Sequence, residues 1–239
     1  IQCAHICAQS LEQAELNLKQ EIGQKTFKDV KSQAKASWEN EFQKLLVEDN
    51  NVDNIRTFYS CLYRLLLFPR KFYEINKDEE IVHYSPYNGK VLPGSMFTDN
   101  GFWDTFRAVF PFFNLMYPEL NKQIMEGLAN TYKESGWLPE WASPGHRQSM
   151  IGSNSASIIA DAYLKGNMNE KDEEVLLEAV LKNANINEGR PEQSVGREGV
   201  HYYNRLGYVP YDVGINENAA RTLDSVSYTH LRAHETQFD

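Results

Sequence analysis

Cysteine is scarce in this 239-residue chain, and Cys3, Cys7 and Cys61 form neither a CxxC pair nor an even set. Neither a zinc site nor a disulfide framework is therefore indicated. No apolar run approaches the roughly 20 residues that a membrane span needs. Positive charge is short as well: 24 Lys and Arg stand against 33 Asp and Glu, for a formal charge of -9. That balance disfavours nucleic acid, whose phosphates it would repel, and suits neutral or cationic ligands. The Walker loop, GxGxxG, GxSxG, HExxH and the EF-hand loop are all missing, so the common phosphate, dinucleotide, hydrolase-elbow and metal templates do not apply.

What remains is 41% hydrophobic and 24% charged, with both signs interspersed. This is the composition of a globular chain, long enough for one large domain or two small ones. The ends stand apart. Residues 225–239, SVSYTHLRAHETQFD, show neither helical nor alternating periodicity and resemble translated primer or adaptor sequence. They are set aside as non-native, and His230 and His234, four apart within them, are not read as a metal pair. The chain opens at Ile1 without a methionine or a leader pattern, and both ends read as cut from something larger.

Between the ends, apolar residues recur every three or four positions. The spacing predicts helices over 10–22, 26–47 and 53–68, the first opened by Ser10 with Gln13 three residues on, and the third buried against its neighbours. Residues 72–99 are broken by Pro86, Gly89, Pro93 and Gly94 and predict a long loop with at most a short hairpin at 80–84. Helical spacing returns over 103–116, 118–135, 153–165, 170–183 and 216–223. Successive helices with short links imply an all-α fold of helical hairpins packed side by side.

Aromatic residues make up 12% of the chain, and eleven of them fall between Phe97 and Trp141, about twice an even share. Phe106, Phe110 and Phe113 fit a core stripe. Trp103 and Trp141 are different: each adjoins a carboxylate, Asp104 and Glu140, at a helix entrance or in a Pro- and Gly-rich loop. An indole beside a carboxylate suits a sugar ring, whose apolar face lies on the aromatic while its hydroxyls reach the acid. Asp104 and Arg107, three apart, fit a plain helical ion pair equally well. In GWLPEWASPGHR, Pro139 and Pro144 stiffen a loop that carries Glu140, His146 and Arg147, an acid, an imidazole and a guanidinium on fixed backbone, which favours a site. Asp161 reads as a buried, hydrogen-bonded structural acid, and residues 170–174 as a solvated helix start.

The stretches RTFYSCLYRLLLFPR, GFWDTFRAVFPFFNLMYPE, GWLPEWASPGHRQSMIGSNSASIIADAYLKG and GYVPYDVGINENAARTLD resemble glycoside hydrolase family 92, a family of calcium-dependent, inverting exo-α-mannosidases, mostly bacterial. The resemblance runs over about 10–224. It implies linker helices over 1–68 and the first half of an (α/α)6 catalytic barrel over 69–224, followed by the foreign tail. It also implies a periplasmic or secreted enzyme that removes mannose, in the α-1,2 manner, from N-glycans or mannan. The family's general acid and base fall beyond Asp224, so neither role goes to a residue here. Calcium, a hard cation taking about 6 to 8 oxygen ligands, would bind mannose hydroxyls through ligands that the sequence does not identify. Trp103, Asp104 and Arg107 are then expected to line the mannose subsite, with Glu140, His146 and Arg147 completing its wall. Two alternatives stay open: a mannosyl-phosphodiester hydrolase of the same family, and a catalytically inactive carbohydrate-binding helical protein.

Overall fold

The computed structural model describes residues 9–147, 149–186 and 197–235, with side chains as far as residue 226. Three helices lead: α1 (Leu11–Glu21), α2 (Phe27–Phe42) and α3 (Val52–Leu65). Ser10 opens α1 by accepting from the Gln13 N–H, and Thr26 opens α2 through a reciprocal capping box with Asp29. Trp38 and Phe42 of α2 pack on Tyr63 and Tyr59 of α3, with ring centroids 4.6 and 5.5 Å apart. Burial of α3 is less than expected. Only Leu62 is buried, and Ile55, Phe58, Tyr59, Leu65 and Leu66 are half-buried.

The segment after Pro69 corrects the all-α expectation. It holds β1 (Arg70–Lys71), β2 (Glu74–Ile75), β3 (Ile81–Tyr84), β4 (Val91–Pro93), β5 (Phe97–Thr98) and β6 (Asn100–Gly101). These form an antiparallel β1–β5 pair and a β2–β3–β4 sheet, while β6 pairs antiparallel with a later strand, β7 (Trp141–Ala142). Among the described residues the protein is mostly helical, with three small antiparallel sheets. The strands escape a reading by periodicity because none exceeds four residues, too short to display an alternation.

Helices resume with α4 (Phe102–Thr105), α5 (Val109–Met116), α6 (Pro118–Ser135), α7 (Asn154–Leu164), α8 (Glu170–Asn185), α9 (Val200–Leu206) and α10 (Asn218–Glu235). The single helix expected over 103–116 is two. Ala108, at φ -134°, leaves helical geometry between them, and the Arg107 side chain donates to the Trp103 carbonyl at 2.8 Å. Pro118 opens α6, and Gly136, left-handed at φ 78°, closes it. Helix α6 packs against α5 and α8, and α7 against α5 and α8. Phe110, Phe113, Met125, Ile158, Ala162 and Leu176 fill the core between them. Burying each phenyl ring contributes about 1.5–3 kcal/mol.

Helix α10 runs on past Leu223 to Glu235, into the residues set aside above as non-native. Once a turn is nucleated, each further residue needs little apolar support to extend it. The side chains of His230 and His234, and all of Cys3 and Cys7, lie outside the described residues. Cys61 is exposed and free. No helix among the described residues is long and apolar enough to cross a membrane.

Candidate functional site

The β6–β7 ladder creates the neighbourhood that the sequence could not show. Gly101 pairs with Trp141 and Asn100 with Ala142, and the Phe102 N–H donates to the Glu140 carbonyl at 3.1 Å. The turn carrying Trp103, Asp104 and Arg107 is thereby fixed against the loop that carries Glu140 to Arg147. Gly101 makes the approach possible. A Cβ there would lie 2.9 Å from Asp104 Oδ2 and 3.6 Å from both Trp141 Cε3 and Met150 Cε.

Trp103, 37% exposed, and Asp104 face outward. Arg107 does not pair with Asp104; its guanidinium sits 4.3 Å from the Phe106 ring centroid and 5.4 Å from that of Trp103. The indole, the carboxylate and the guanidinium thus occupy one exposed patch, edged by the half-buried Trp141.

The other three candidates take separate positions. Glu140 is 3% exposed and turned inward. Its Oε2 accepts from the Asn154 N–H at 2.8 Å and the Ser155 N–H at 3.4 Å, and its Oε1 from the Ser155 hydroxyl at 2.7 Å. Helix α7 makes no side-chain cap of its own, so this carboxylate caps it from the neighbouring loop. His146 is buried, bridged to Ala142 through the backbone and packed 4.9 Å from the Tyr87 ring. Arg147 is exposed and donates through Nε to the Ser143 carbonyl at 2.8 Å. Trp103, Asp104 and Arg107 therefore share a surface, with Arg147 on the adjoining loop, while Glu140 and His146 form its foundation.

Asp161 and the 170–174 run are likewise structural. Asp161 is half-buried and bonded to Asn114 and Lys165. Asp172 is wholly buried, not solvated, and pairs with Lys133 at 3.6 Å.

Two groups went unread in the sequence. The first is His83, fully buried on β3, with Nδ1 2.8 Å from the Gly94 carbonyl and Nε2 2.8 Å from Glu134 Oε1. Both partners are acceptors, so the ring carries two protons when Glu134 is ionised. Burial pulls its pKa down, but the Glu134 and Gly94 hydrogen bonds and the Glu134 and Glu126 charges outweigh it, and the net direction is up. A histidine inside an apolar strand, and a glutamate in the last turn of a helix where the dipole disfavours it, were the available signals. The second is Asp224, whose Oδ2 would lie 2.8 Å from a Cβ on Gly152. Burial pushes this carboxyl up, while Arg107 and Arg221 pull it the other way. Asp224 thus reaches electrostatically to the Trp103–Arg107 turn.

Along α7 and α8 runs an open apolar groove of about 1170 Å³, walled by Ile159, Tyr163, Leu164, Leu177 and Leu181. Among the described residues, no three His, Cys, Asp or Glu side chains converge to hold a metal ion.

Residues 13–231 match the catalytic domain of glycosyl hydrolase family 92. The chain is similar to an uncharacterised secreted glycosidase of Arthroderma benhamiae, 29% identical over 190 residues that make up 77% of this chain and 20% of that protein. Its fold is similar to that of an inverting mannosidase of family GH92 from Bacteroides thetaiotaomicron, with a TM-score of 0.84 and 46% identity, covering 90% of this chain and 29% of the other. A family GH92 alpha-mannosidase from the same organism gives a TM-score of 0.75 at 26% identity, covering 91% and 28%. The chain thus spans less than a third of the length of each of these relatives.

Proposed function

The chain belongs to glycosyl hydrolase family 92, and we propose that it forms the part of an exo-acting α-mannosidase that receives the terminal mannose. The observation that carries this reading is the β6–β7 pairing, which sets the exposed Trp103, Asp104 and Arg107 beside Trp141 on one surface. The apolar face of a pyranose lies on an indole, the Asp104 carboxylate accepts from sugar hydroxyls, and Arg107 or Arg147 donates to sugar oxygens. Glu140 serves the same surface indirectly, by fixing α7 to the loop that carries Trp141.

In the whole enzyme the reading is hydrolysis with inversion, in which one carboxylic acid protonates the leaving oxygen and a carboxylate roughly 6.5–9.5 Å away activates water on the opposite face. Those two groups are assigned outside this chain, whose own residues bind and orient the sugar. The family's calcium has no fitting ligand cluster among the described residues, and no step passes through it here. An (α/α)6 barrel completed by further helices, α-1,2 linkages in N-glycans or mannan as substrate, and a secreted or periplasmic location belong to the same proposal. The secreted glycosidase among the relatives supports the location.

The test is titration of the chain with methyl α-D-mannopyranoside, followed by saturation-transfer NMR. Binding in the millimolar range is expected, with methyl α-D-galactopyranoside weaker. Losing a hydrogen bond to a charged group costs about 1.5–3 kcal/mol, so Asp104→Ala should weaken binding by about tenfold or more while the far-UV circular dichroism stays unchanged. Equal signals from the two glycosides, or an Asp104→Ala variant that binds like the parent, would overturn the reading.

A further inference from the structure

His83 joins a hairpin to a helix. On β3 it pairs with Leu92 of β4, and its fully buried ring has Nδ1 2.8 Å from the Gly94 carbonyl and Nε2 2.8 Å from Oε1 of Glu134 on α6. We propose that His83 is a positioning residue for the sugar surface: doubly protonated, it clamps the β3–β4 hairpin onto α6, the hairpin tip holds the loop that presents Trp141 and Arg147, and losing one ring proton loosens that hold. The effect on sugar binding rests on the function proposed above; the clamp does not.

Both oxygens beside the ring are acceptors, so the imidazolium satisfies them, whereas a neutral ring turns a nitrogen lone pair toward one of them. Glu134 has no second donor to turn to. Its Oε2 is buried without a hydrogen bond, so losing the ring proton leaves a buried carboxylate short of donors. Glu126, also on α6, adds a negative charge that favours the protonated ring, and Lys171 of α8 holds Glu126 at 2.7 Å. The hairpin lies tight on the helix beside this pair: a Cβ on Gly94 would lie 2.8 Å from Asn130 Nδ2, which donates to the Ser95 carbonyl at 2.9 Å.

From His83 the strand leads to the tip. Ser85 Oγ accepts from the N–H groups of Tyr87 and Asn88 at 3.3 Å, and the Gly89 N–H donates to the Ser85 carbonyl at 3.0 Å, which braces the turn internally. The Tyr87 hydroxyl bonds Thr131, one turn before Glu134 on the same face of α6. Burial pushes that hydroxyl up to about 12, so Tyr87 stays neutral at neutral and mildly alkaline pH. The tip meets the site loop twice: the Tyr87 ring centroid lies 4.9 Å from that of His146, and Pro86 Cβ would lie 3.8 Å from a Cβ on Gly145. Gly145 and His146 close the turn that places Arg147, whose N–H donates to the Trp141 carbonyl at 3.1 Å, while the Ser143 N–H donates to the Gly145 carbonyl at 3.2 Å. A shift of the tip thus reaches the indole and the guanidinium without any contact between His83 and the sugar.

The sign follows from the two acceptors. The clamp is complete below the unfolded histidine value of about 6.5 and is lost as pH rises through the higher folded value. Sugar affinity should fall in the same direction.

The experiment is an NMR titration of the isotope-labelled 239-residue chain from about pH 6 to about pH 9. The reporters are the His83 ring and the Trp141 indole N–H, the latter identified with Trp141→Phe, and methyl α-D-mannopyranoside is titrated at both ends of the range. The expected result is that the Trp141 signal moves with the midpoint of His83 and that affinity falls about threefold or more across it. By linkage, saturating sugar should raise the His83 midpoint by about half a pH unit for a threefold effect. His83→Gln should show the weaker affinity at every pH, and Glu134→Gln should move the His83 and Trp141 responses to lower pH together. Should those variants fail to fold, Tyr87→Leu should leave His83 titrating while the Trp141 signal and the affinity no longer follow it. A Trp141 signal that ignores His83, or that still follows it in folded Tyr87→Leu, overturns the proposal. Affinity that stays constant while Trp141 responds overturns the effect on the sugar. A Trp141 response with no sugar binding at any pH overturns the function proposed above and leaves the clamp standing.

Discussion

Replacing Glu140 by Ala tests whether this acid supports the fold or touches the sugar. Its carboxylate accepts three hydrogen bonds from the start of α7, two from backbone N–H groups and one from a hydroxyl. Each bond to a charged acceptor contributes about 1.5–3 kcal/mol. The three are not additive, since water entering the vacated space would rehydrate some of the stranded donors. A loss of about 3–5 kcal/mol is the resulting figure, comparable to breaking a buried charged network. Against a total stability of about 5–15 kcal/mol this is a large fraction. With a urea m-value of about 2–3 kcal/mol/M, the midpoint should fall by about 1–2.5 M. Glu140→Gln keeps one acceptor oxygen, and its amide can donate to Ser155 Oγ, so its loss should be nearer 1 kcal/mol. Urea unfolding of all three proteins, followed by circular dichroism at 222 nm, gives the comparison. An alanine variant that unfolds with the parent's midpoint, yet no longer binds methyl mannoside, would refute the capping role and make Glu140 a sugar ligand.

His83 predicts a pH dependence. Its folded pKa lies above its unfolded value of about 6.5, so the pair with Glu134 contributes fully below that pH and loses its contribution as pH rises through the folded value. The urea midpoint should therefore decline over that interval, and His83→Gln should flatten the decline; an unchanged slope would count against the pair. Gly101→Ala, whose Cβ would meet Asp104 Oδ2 at 2.9 Å, should displace the carboxylate and weaken methyl mannoside binding several-fold. Its unfolding midpoint should barely move, because the end of a flexible side chain can yield. The groove on α7 and α8 exposes Tyr163, Leu164, Leu177 and Leu181 by 56%, 73%, 60% and 42%. The isolated chain should bind anilinonaphthalene sulfonate and self-associate in sedimentation velocity, and a dye-silent monomer would show that the groove is covered.

The sequence revealed elements where the local chemistry was decisive. Helix α6 was expected at 118–135 and occupies Pro118–Ser135, because Pro118 and Gly136 mark its two ends independently of packing. The break between α4 and α5 was illegible, since the apolar spacing of Phe106, Val109, Phe110 and Phe113 continues straight through it. Arg107's bond to the Trp103 carbonyl, four residues back, accompanies that break, and the β6–β7 ladder that anchors α4 depends on residues distant in sequence. At the site, the residue types at Trp103, Asp104 and Arg107 were readable, and so was the stiffness of the Glu140 loop. The inward direction of Glu140 was not, although α7 opens with Ser153 and Asn154 and lacks a cap of its own. Arg221 was read only as part of the start of a helix, because its ion-pair partner Glu198 comes from a separate loop.

The Gly101–Trp141 pairing also bears on when the surface assembles during folding. The ladder closes a loop that contains α5 and α6, and a two-residue ladder recovers little of the entropy lost in closing so long a chain. It becomes affordable only after α5 and α6 have folded as a local hairpin and brought their ends together. The indole and the carboxylate should thus come into register late, after the core around Phe110 and Met125 has formed. Ligand added during refolding would then accelerate nothing, yet would slow unfolding, because the contacts it reinforces are among the last made and the first lost.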